Sequence, residues 1–232
     1  MHTVALLIGA FVFGQMPESL DPPNAAPEAF AHIRIDAAAR TVELDATVPI
    51  RLDDPRAPRV YLEQLVCIPD TKEHEVVLVT RAKPSHVHAA LLAIGLTPGK
   101  PATWKQQGTQ MVPIAPEGDA VRIELVYSNA AGERVTDRPS SWVKNAVTGA
   151  PWPEGDWVFA GSVMTARAGR EVYEADAGGT LIGLTSFGTE VLAWPKVISP
   201  DSQQQEPEWI ADAAHVPPMG TPVVVRLSIP KR

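Results

Sequence analysis

The chain has 232 residues, of which 45% are hydrophobic and 20% are charged, and its formal net charge at pH 7 is −7. These values allow a hydrophobic core in one large domain or in two small lobes. They argue against a nucleic-acid-binding protein, because phosphate contacts need a cluster of lysine and arginine that this sequence lacks. The single cysteine, Cys67, excludes an intrachain disulfide and a cysteine-ligated iron–sulfur cluster, and its apolar neighbours predict a buried, unreactive thiol.

The first fifteen residues, MHTVALLIGAFVFGQ, predict an export segment. An apolar run extends from Val4 to Phe13, which is the length of a signal-peptide core and too short to span a bilayer. No lysine or arginine precedes the run, so an N-terminal strand or a retained anchor is the alternative. Residues 16–31 are rich in proline and alanine and predict a linker. We therefore expect an exported protein of the periplasm or cell envelope, with no transmembrane span after signal removal.

Alternating apolar residues predict strands along most of the remaining chain. Residues 33–44 predict a hairpin, and residues 75–80 predict a strand that is apolar on both faces and therefore central in its sheet. Short alternating segments recur up to TPVVVRLSI at residues 221–229. We therefore predict one α+β domain over residues 32–230, with a lobe boundary near residue 118 left open.

One principal helix is predicted to pack on the strand-dominated, mixed or antiparallel sheets of this α+β fold, at about residues 85–95. Its sequence lies within KPSHVHAALLAIGLTPG, residues 83–99. Ser85 is the predicted N-cap. Gly95 fits the left-handed position that follows a helix, and the proline beyond it prevents continuation.

The two histidines at the start of this helix, His86 and His88, are the main candidates for a site. Residues two apart on a helix diverge by about 200°, so these two imidazoles are not expected to face each other. They can be structural, with one histidine packed and hydrogen-bonded and the other half exposed. They can instead bind a ligand together with Ser85, because a helix N-terminus attracts an anion or a partner's carboxylate.

A metal-dependent hydrolase is the alternative in which zinc is bound by His74, His86 and His88, with Glu73 or Glu75 beside them. The spacing opposes it, because His74 begins a strand whose six residues span about 20 Å and the helix follows its far end. No cofactor is expected outside this alternative.

Two further motifs predict packing more than binding. Trp142, Trp152 and Trp157 lie close in sequence and predict core packing, although an aromatic platform for a sugar is conceivable. The glycines of GGTLIGLTSFG, residues 178–188, are predicted to mark turns and bulges of a strand.

Four segments together resemble the YdjY-like family of bacterial exported proteins. They are TKEHEVVLVTRAKPSHVHAALLAIGLTPGKP, DWVFAGS, GGTLIGLTSFG and VPPMGTPVVVRLSIP, and the resemblance covers about residues 32–229. It implies export to the periplasm or cell envelope, but no established reaction and no catalytic residue. Some relatives are labelled ferredoxin-like because of cysteine clusters, which Cys67 alone cannot form, so electron transfer is not expected here. We predict a non-enzymatic module that binds an envelope protein or a small ligand through Ser85, His86 and His88.

Overall fold

The computed structural model describes residues 30–52, 54 and 59–231. The predicted export segment, and the predicted linker up to residue 29, lie outside the described residues. The strands are β1 (Ile33–Asp36), β2 (Thr41–Thr47), β3 (Gln64–Cys67), β4 (Val76–Thr80), β5 (Pro98–Lys100), β6 (Thr103–Gln107), β7 (Gln110–Ile114), β8 (Glu117–Gly118), β9 (Ala120–Ser128), β10 (Arg134–Asp137), β11 (Val143–Asn145), β12 (Trp157–Phe159), β13 (Met164–Arg167), β14 (Arg170–Tyr173), β15 (Thr180–Gly183), β16 (Leu192–Ala193), β17 (Trp209–Ala211) and β18 (Pro222–Ser228). The helices are α1 (Pro84–Ala93), α2 (Pro139–Trp142) and α3 (Glu174–Gly178), and a 3-10 turn covers Glu73–Glu75.

Eight strands close into a barrel. In order around the ring they are β2, β18, β9, β12, β16, β15, β3 and β4, and β4 pairs back to β2 through Ala46 opposite Thr80 and Thr47 opposite Val79. Two pairs are parallel, β15 with β16 and β3 with β4, and the others are antiparallel. Outside the ring, β1 pairs with the first part of β2 and β10 with the last part of β9. Closure leaves no free edge on the ring itself.

The predicted α+β fold, with a principal helix packed on a sheet, is wrong. The part of the chain that the structure describes forms a closed barrel with three short helices, and the ten-residue α1 lies beside β1, β2 and α3. Alternation along the chain predicted the strands, since it reports which face of a strand is buried. Closure depends instead on pairs such as Thr47 with Val79, which are remote in sequence and leave no mark on local periodicity.

The core lies inside the barrel and is built from residues that share a face in register. Val225 of β18 lies opposite Leu44 of β2 on one side and Leu125 of β9 on the other, and all three are fully buried. Each such side chain contributes about 1.5–3 kcal/mol by leaving water. The strands before residue 118 (β3, β4 and β2) form one arc of the ring and those after it form the other, and both arcs contribute side chains to this core. No helix in the described part of the chain is long and apolar enough to cross a membrane.

The prediction that Cys67 is buried and the prediction that the three tryptophans pack in the core are confirmed. Cys67 is fully buried on β3, and burial raises the pKa of its thiol. The three tryptophans of the predicted cluster are at most 1% exposed. Trp152 and Trp157 pack with Trp194, whereas Trp142 packs edge-on against Tyr127.

Candidate functional site

The start of α1 differs from the prediction. The N-cap is Lys83 rather than Ser85, and Pro84 occupies the first helical position, where a missing N–H costs nothing. The backbone N–H of Ser85 donates to Oδ1 of Asp176 at 2.8 Å, and Nζ of Lys83 lies 3.2 Å from Oδ2 of the same carboxylate. The anion expected at this helix N-terminus is therefore a carboxylate of the chain itself, which an external anion would have to displace.

The end of α1 is as predicted. Gly95 follows the C-cap with a φ of 86°, and its N–H donates to the carbonyl of Leu92 at 2.9 Å. The N–H of Leu96 donates to the carbonyl of Leu91 at 3.1 Å, which completes a Schellman motif.

His88 is packed and hydrogen-bonded. Its Nδ1 lies 2.9 Å from Oη of Tyr173, and that hydroxyl donates its own proton to the carbonyl of Gly161 at 3.0 Å. Nδ1 is therefore the donor in the hydrogen bond between His88 and Tyr173. The ring also packs edge-on against Phe159, with centroids 4.9 Å apart. Burial lowers the pKa of His88 below its usual value.

His86 points to different neighbours. Its ring stacks on Phe30, with centroids 4.5 Å apart and an interplanar angle of 25°. The two imidazoles thus diverge around α1, as their spacing predicted. Of the interpretations left open by the sequence, the structural one matches the contacts of His88.

We expect His88→Ala to destabilise the protein by about 2 kcal/mol at pH 8, because Tyr173 loses a donor and a packed ring is removed. The penalty should be smaller at pH 5. An imidazole whose pKa is lowered by folding resists protonation in the native state, so the wild type loses stability as the pH falls through the unfolded value of 6.5. The His88→Ala variant has no imidazole at this position, so its stability does not fall for this reason between pH 8 and pH 5. Urea denaturation at both pH values measures the free energies of unfolding, with His86→Ala as the control on the same helix. A destabilisation by His88→Ala that is the same at pH 5 and pH 8 would contradict the prediction.

The residues of the predicted zinc site are not assembled within one chain. His74 lies in the 3-10 turn with 72% of its side chain exposed, and its Nε2 is 3.7 Å from Oε1 of Glu75. Backbone N–H groups, its own and that of Asp70 among them, lower the pKa of Glu73. Burial and a hydrogen bond with Glu63 raise the pKa of Glu75. Within the described residues, no three histidine, cysteine, aspartate or glutamate side chains lie together as metal ligands would.

Segments that are far apart in sequence meet beside His88. After β12 the chain turns through Gly161 and Ser162, with φ values of 83° and 56°. The Ser162 hydroxyl donates to the carbonyl of Thr189 at 2.6 Å and accepts the N–H of Ala175 at 3.1 Å. We call this set the α1 junction; it comprises Ser85, His88, Gly161, Ser162, Tyr173 and Asp176. Within it Ser85 bonds to Asp176, and His88 bonds to Tyr173, which bonds to Gly161; paired polar groups of this kind are typical of a structural joint.

A groove of about 750 Å³ lies on the outer face of the barrel and includes no residue of the α1 junction. Its floor contains Val224, which lies between Asp45 and Val126 in register, together with Val79 of β4. We call it the outer groove; it is lined by His32, Asp45, Ala46, Thr47, Pro49, Pro69, Glu73, Val79, Arg81, Val126, Tyr127, Ser128, Arg134, Pro222, Val223 and Val224.

The charges around the outer groove are unevenly compensated. Asp45 is bound by Arg34 at 2.7 Å, and the carboxylate of Glu73 accepts backbone N–H groups of its own turn. Arg81 and Arg134 are exposed, and neither has an ion-pair partner among the described residues. The groove therefore combines an apolar floor with two available guanidinium groups.

Sequence reasoning missed the outer groove, although a signal was present. Val224 lies between Val223 and Val225, and Val126 follows Leu125, so both strands carry an apolar residue where alternation demands a polar one. An apolar residue on the outer face of a strand indicates that something covers or binds that face.

The comparison with known families extends over the whole barrel. The model of the YdjY domain matches residues 33–228, from the first residue of β1 to the last residue of β18. No curated protein and no solved structure matches this chain. The matched range agrees with the resemblance found in the sequence over residues 32–229. The chain therefore belongs to the YdjY domain family.

Proposed function

We propose that this protein is an exported, non-enzymatic binding module of the periplasm or cell envelope, and that the outer groove holds its ligand. The single observation that carries the proposal is the groove itself. Its volume of about 750 Å³ falls within the range of about 300–1,000 Å³ found for small-molecule sites. An apolar floor with a few polar groups at its border is the usual composition of such sites.

The outer face of the same strands is otherwise charged, which makes the groove distinct. One row of outward residues alternates in sign: Arg34 and Arg226 both bind Glu43, and Arg226 also lies 3.7 Å from Glu124. The next row along the strands contains Val224 and Val126 instead. An apolar patch framed by a salt-bridged surface is typical of a binding surface in a soluble domain.

The proposal moves binding away from the residues that the sequence favoured. The backbone N–H of Ser85 and Nδ1 of His88 are engaged in the α1 junction, and neither of these residues nor His86 lines the outer groove. The module stays non-enzymatic in this proposal, because an apolar floor and two guanidinium groups provide affinity rather than a nucleophile. Export rests on the apolar run from Val4 to Phe13.

Val224→Trp should empty the groove of its ligand. Val224 is on the outer face of β18, so an indole there fills the groove without entering the core. Ser228→Trp is the matched control, since it places the same side chain on the same face of the same strand outside the groove. We expect wild type and Ser228→Trp, recovered from the periplasmic or membrane fraction, to carry a molecule of constant mass in native mass spectrometry, and Val224→Trp to carry at least about tenfold less.

Three outcomes would contradict the proposal. Equal retention of the molecule by both tryptophan variants would place binding elsewhere, and a wild-type protein without any bound molecule would remove the groove's function. Recovery of the protein from the cytoplasm alone would contradict export. Circular dichroism of both variants separates loss of binding from loss of folding.

A further inference from the structure

We propose that the ligand of the outer groove is a small molecule with an apolar body and an acidic group at each end. This inference rests on the proposed function, since it specifies the chemistry of the molecule that the groove holds. Two observations carry it: the position of the free arginines on opposite sides of the groove, and the apolar floor between them.

The positions of the arginines follow from the order of the strands. Arg81 directly follows β4, and Arg134 begins β10. Around the barrel the order is β4, β2, β18, β9 and β10, so the groove floor separates the two arginines. Four steps between neighbouring strands amount to about 19 Å, before either side chain reaches inward. The two guanidinium groups approach the groove floor from opposite sides, so each can serve a separate anion.

Within the groove, the charges of Arg81 and Arg134 favour acidic groups at these two positions. The chain as a whole carries −7, so an anion is repelled over most of its surface. Within the groove, Asp45 is neutralised by Arg34, whereas Arg81 and Arg134 remain available. Guanidinium groups bind carboxylates through paired hydrogen bonds, which gives each end of the ligand a defined partner.

The floor between the arginines selects the body of the ligand. Val224, Val126 and Val79 offer aliphatic surface, and the carboxylate beside them, that of Asp45, is paired with Arg34. An unbranched α,ω-dicarboxylate is the simplest probe with this distribution of apolar and acidic groups.

The test is calorimetric titration of the full chain, as cells process it, with α,ω-dicarboxylates of about 8 to 16 carbons and with the monocarboxylate of each length. We expect one dicarboxylate to bind at least about tenfold more tightly than its monocarboxylate, because the second charge-assisted contact contributes about one such factor. In Arg81→Gln and in Arg134→Gln this advantage should disappear. Arg170→Gln is the control, since it removes an exposed arginine of β14 that does not line the groove.

The outcomes separate this inference from the proposed function. Equal affinity for mono- and dicarboxylates, no binding of either, or unchanged binding in both groove variants would overturn the diacid. Tighter binding of a peptide of alternating glutamate and leucine would overturn it in favour of a protein segment. Each of these results leaves the tryptophan-variant test of the groove standing, because that test does not depend on the chemistry of the ligand.

Discussion

Gly161→Ala is expected to destabilise the protein by about 3 kcal/mol, whereas Gly132→Ala should cost only about 1 kcal/mol. Both glycines have a left-handed backbone, with φ values of 83° and 78°, so both substitutions carry the same conformational cost. A Cβ at Gly161 would lie 2.7 Å from Cβ of Pro98 and 3.4 Å from Cε1 of His88, whereas a Cβ at Gly132 would have no neighbour within 4 Å. The difference between the two variants therefore isolates crowding at the α1 junction.

Crowding at Gly161 cannot be relieved cheaply. Pro98 is a rigid ring on β5, and moving His88 away would break its hydrogen bond to Tyr173. Urea denaturation of both variants at pH 8 gives the two free energies of unfolding. Penalties that agree within about 0.5 kcal/mol, the usual error of such comparisons, would contradict the close packing described at the junction.

The end of α1 could be predicted from the sequence, whereas its start could not. The Schellman motif at Gly95 needs only neighbours along the chain, and Pro98 excludes continuation. At the start, the carboxylate that satisfies the Ser85 N–H comes from Asp176, which is 91 residues away. A local rule that assigns the cap to the nearest hydroxyl cannot detect such a partner.

The candidate site was hidden for the same reason. Arg81 and Arg134 belong to separate segments, and only the strand order of the barrel brings them to one groove. Whether an arginine of the groove has an ion-pair partner also depends on residues remote in sequence. Asp45 lines the groove, but its carboxylate is already paired with Arg34 of a different strand. Sequence reasoning found the histidines because they are unusual side chains close together, although their contacts are mainly structural.

The glycine-rich segment, residues 178–188, shows which features can be predicted from the local sequence. The pairing of β15 with β3 shifts register between Ile182 and Gly183, as expected for a bulge. A Cβ at Gly183 would lie 2.8 Å from the carbonyl oxygen of Thr185, so the chain folds back on itself there. The sequence predicted the irregularity but not its use, which is to present the Gly183 carbonyl to Trp157.

Trp157→Ala is expected to cost about 4 kcal/mol, because it opens a large cavity where the barrel has its weakest strand pairing. β12 pairs with β16 through two residue pairs, and β16 with β15 through one, so side chains must hold this part of the ring. Trp157 is 1% exposed, packs edge-on against Trp194 with centroids 4.9 Å apart, and donates its indole N–H to the carbonyl of Gly183 at 2.9 Å.

Trp157→Phe separates packing from hydrogen bonding at this position. It keeps an aromatic ring but leaves the Gly183 carbonyl without its donor, so a smaller loss of about 1–2 kcal/mol is expected. Trp104→Ala is the control, since Trp104 is a partly exposed tryptophan on the β6–β7 hairpin outside the barrel. Urea denaturation followed by circular dichroism measures all three. If Trp157→Ala cost no more than Trp104→Ala, strand pairing alone would close the barrel between β12 and β15, and the tryptophans would be free for another role.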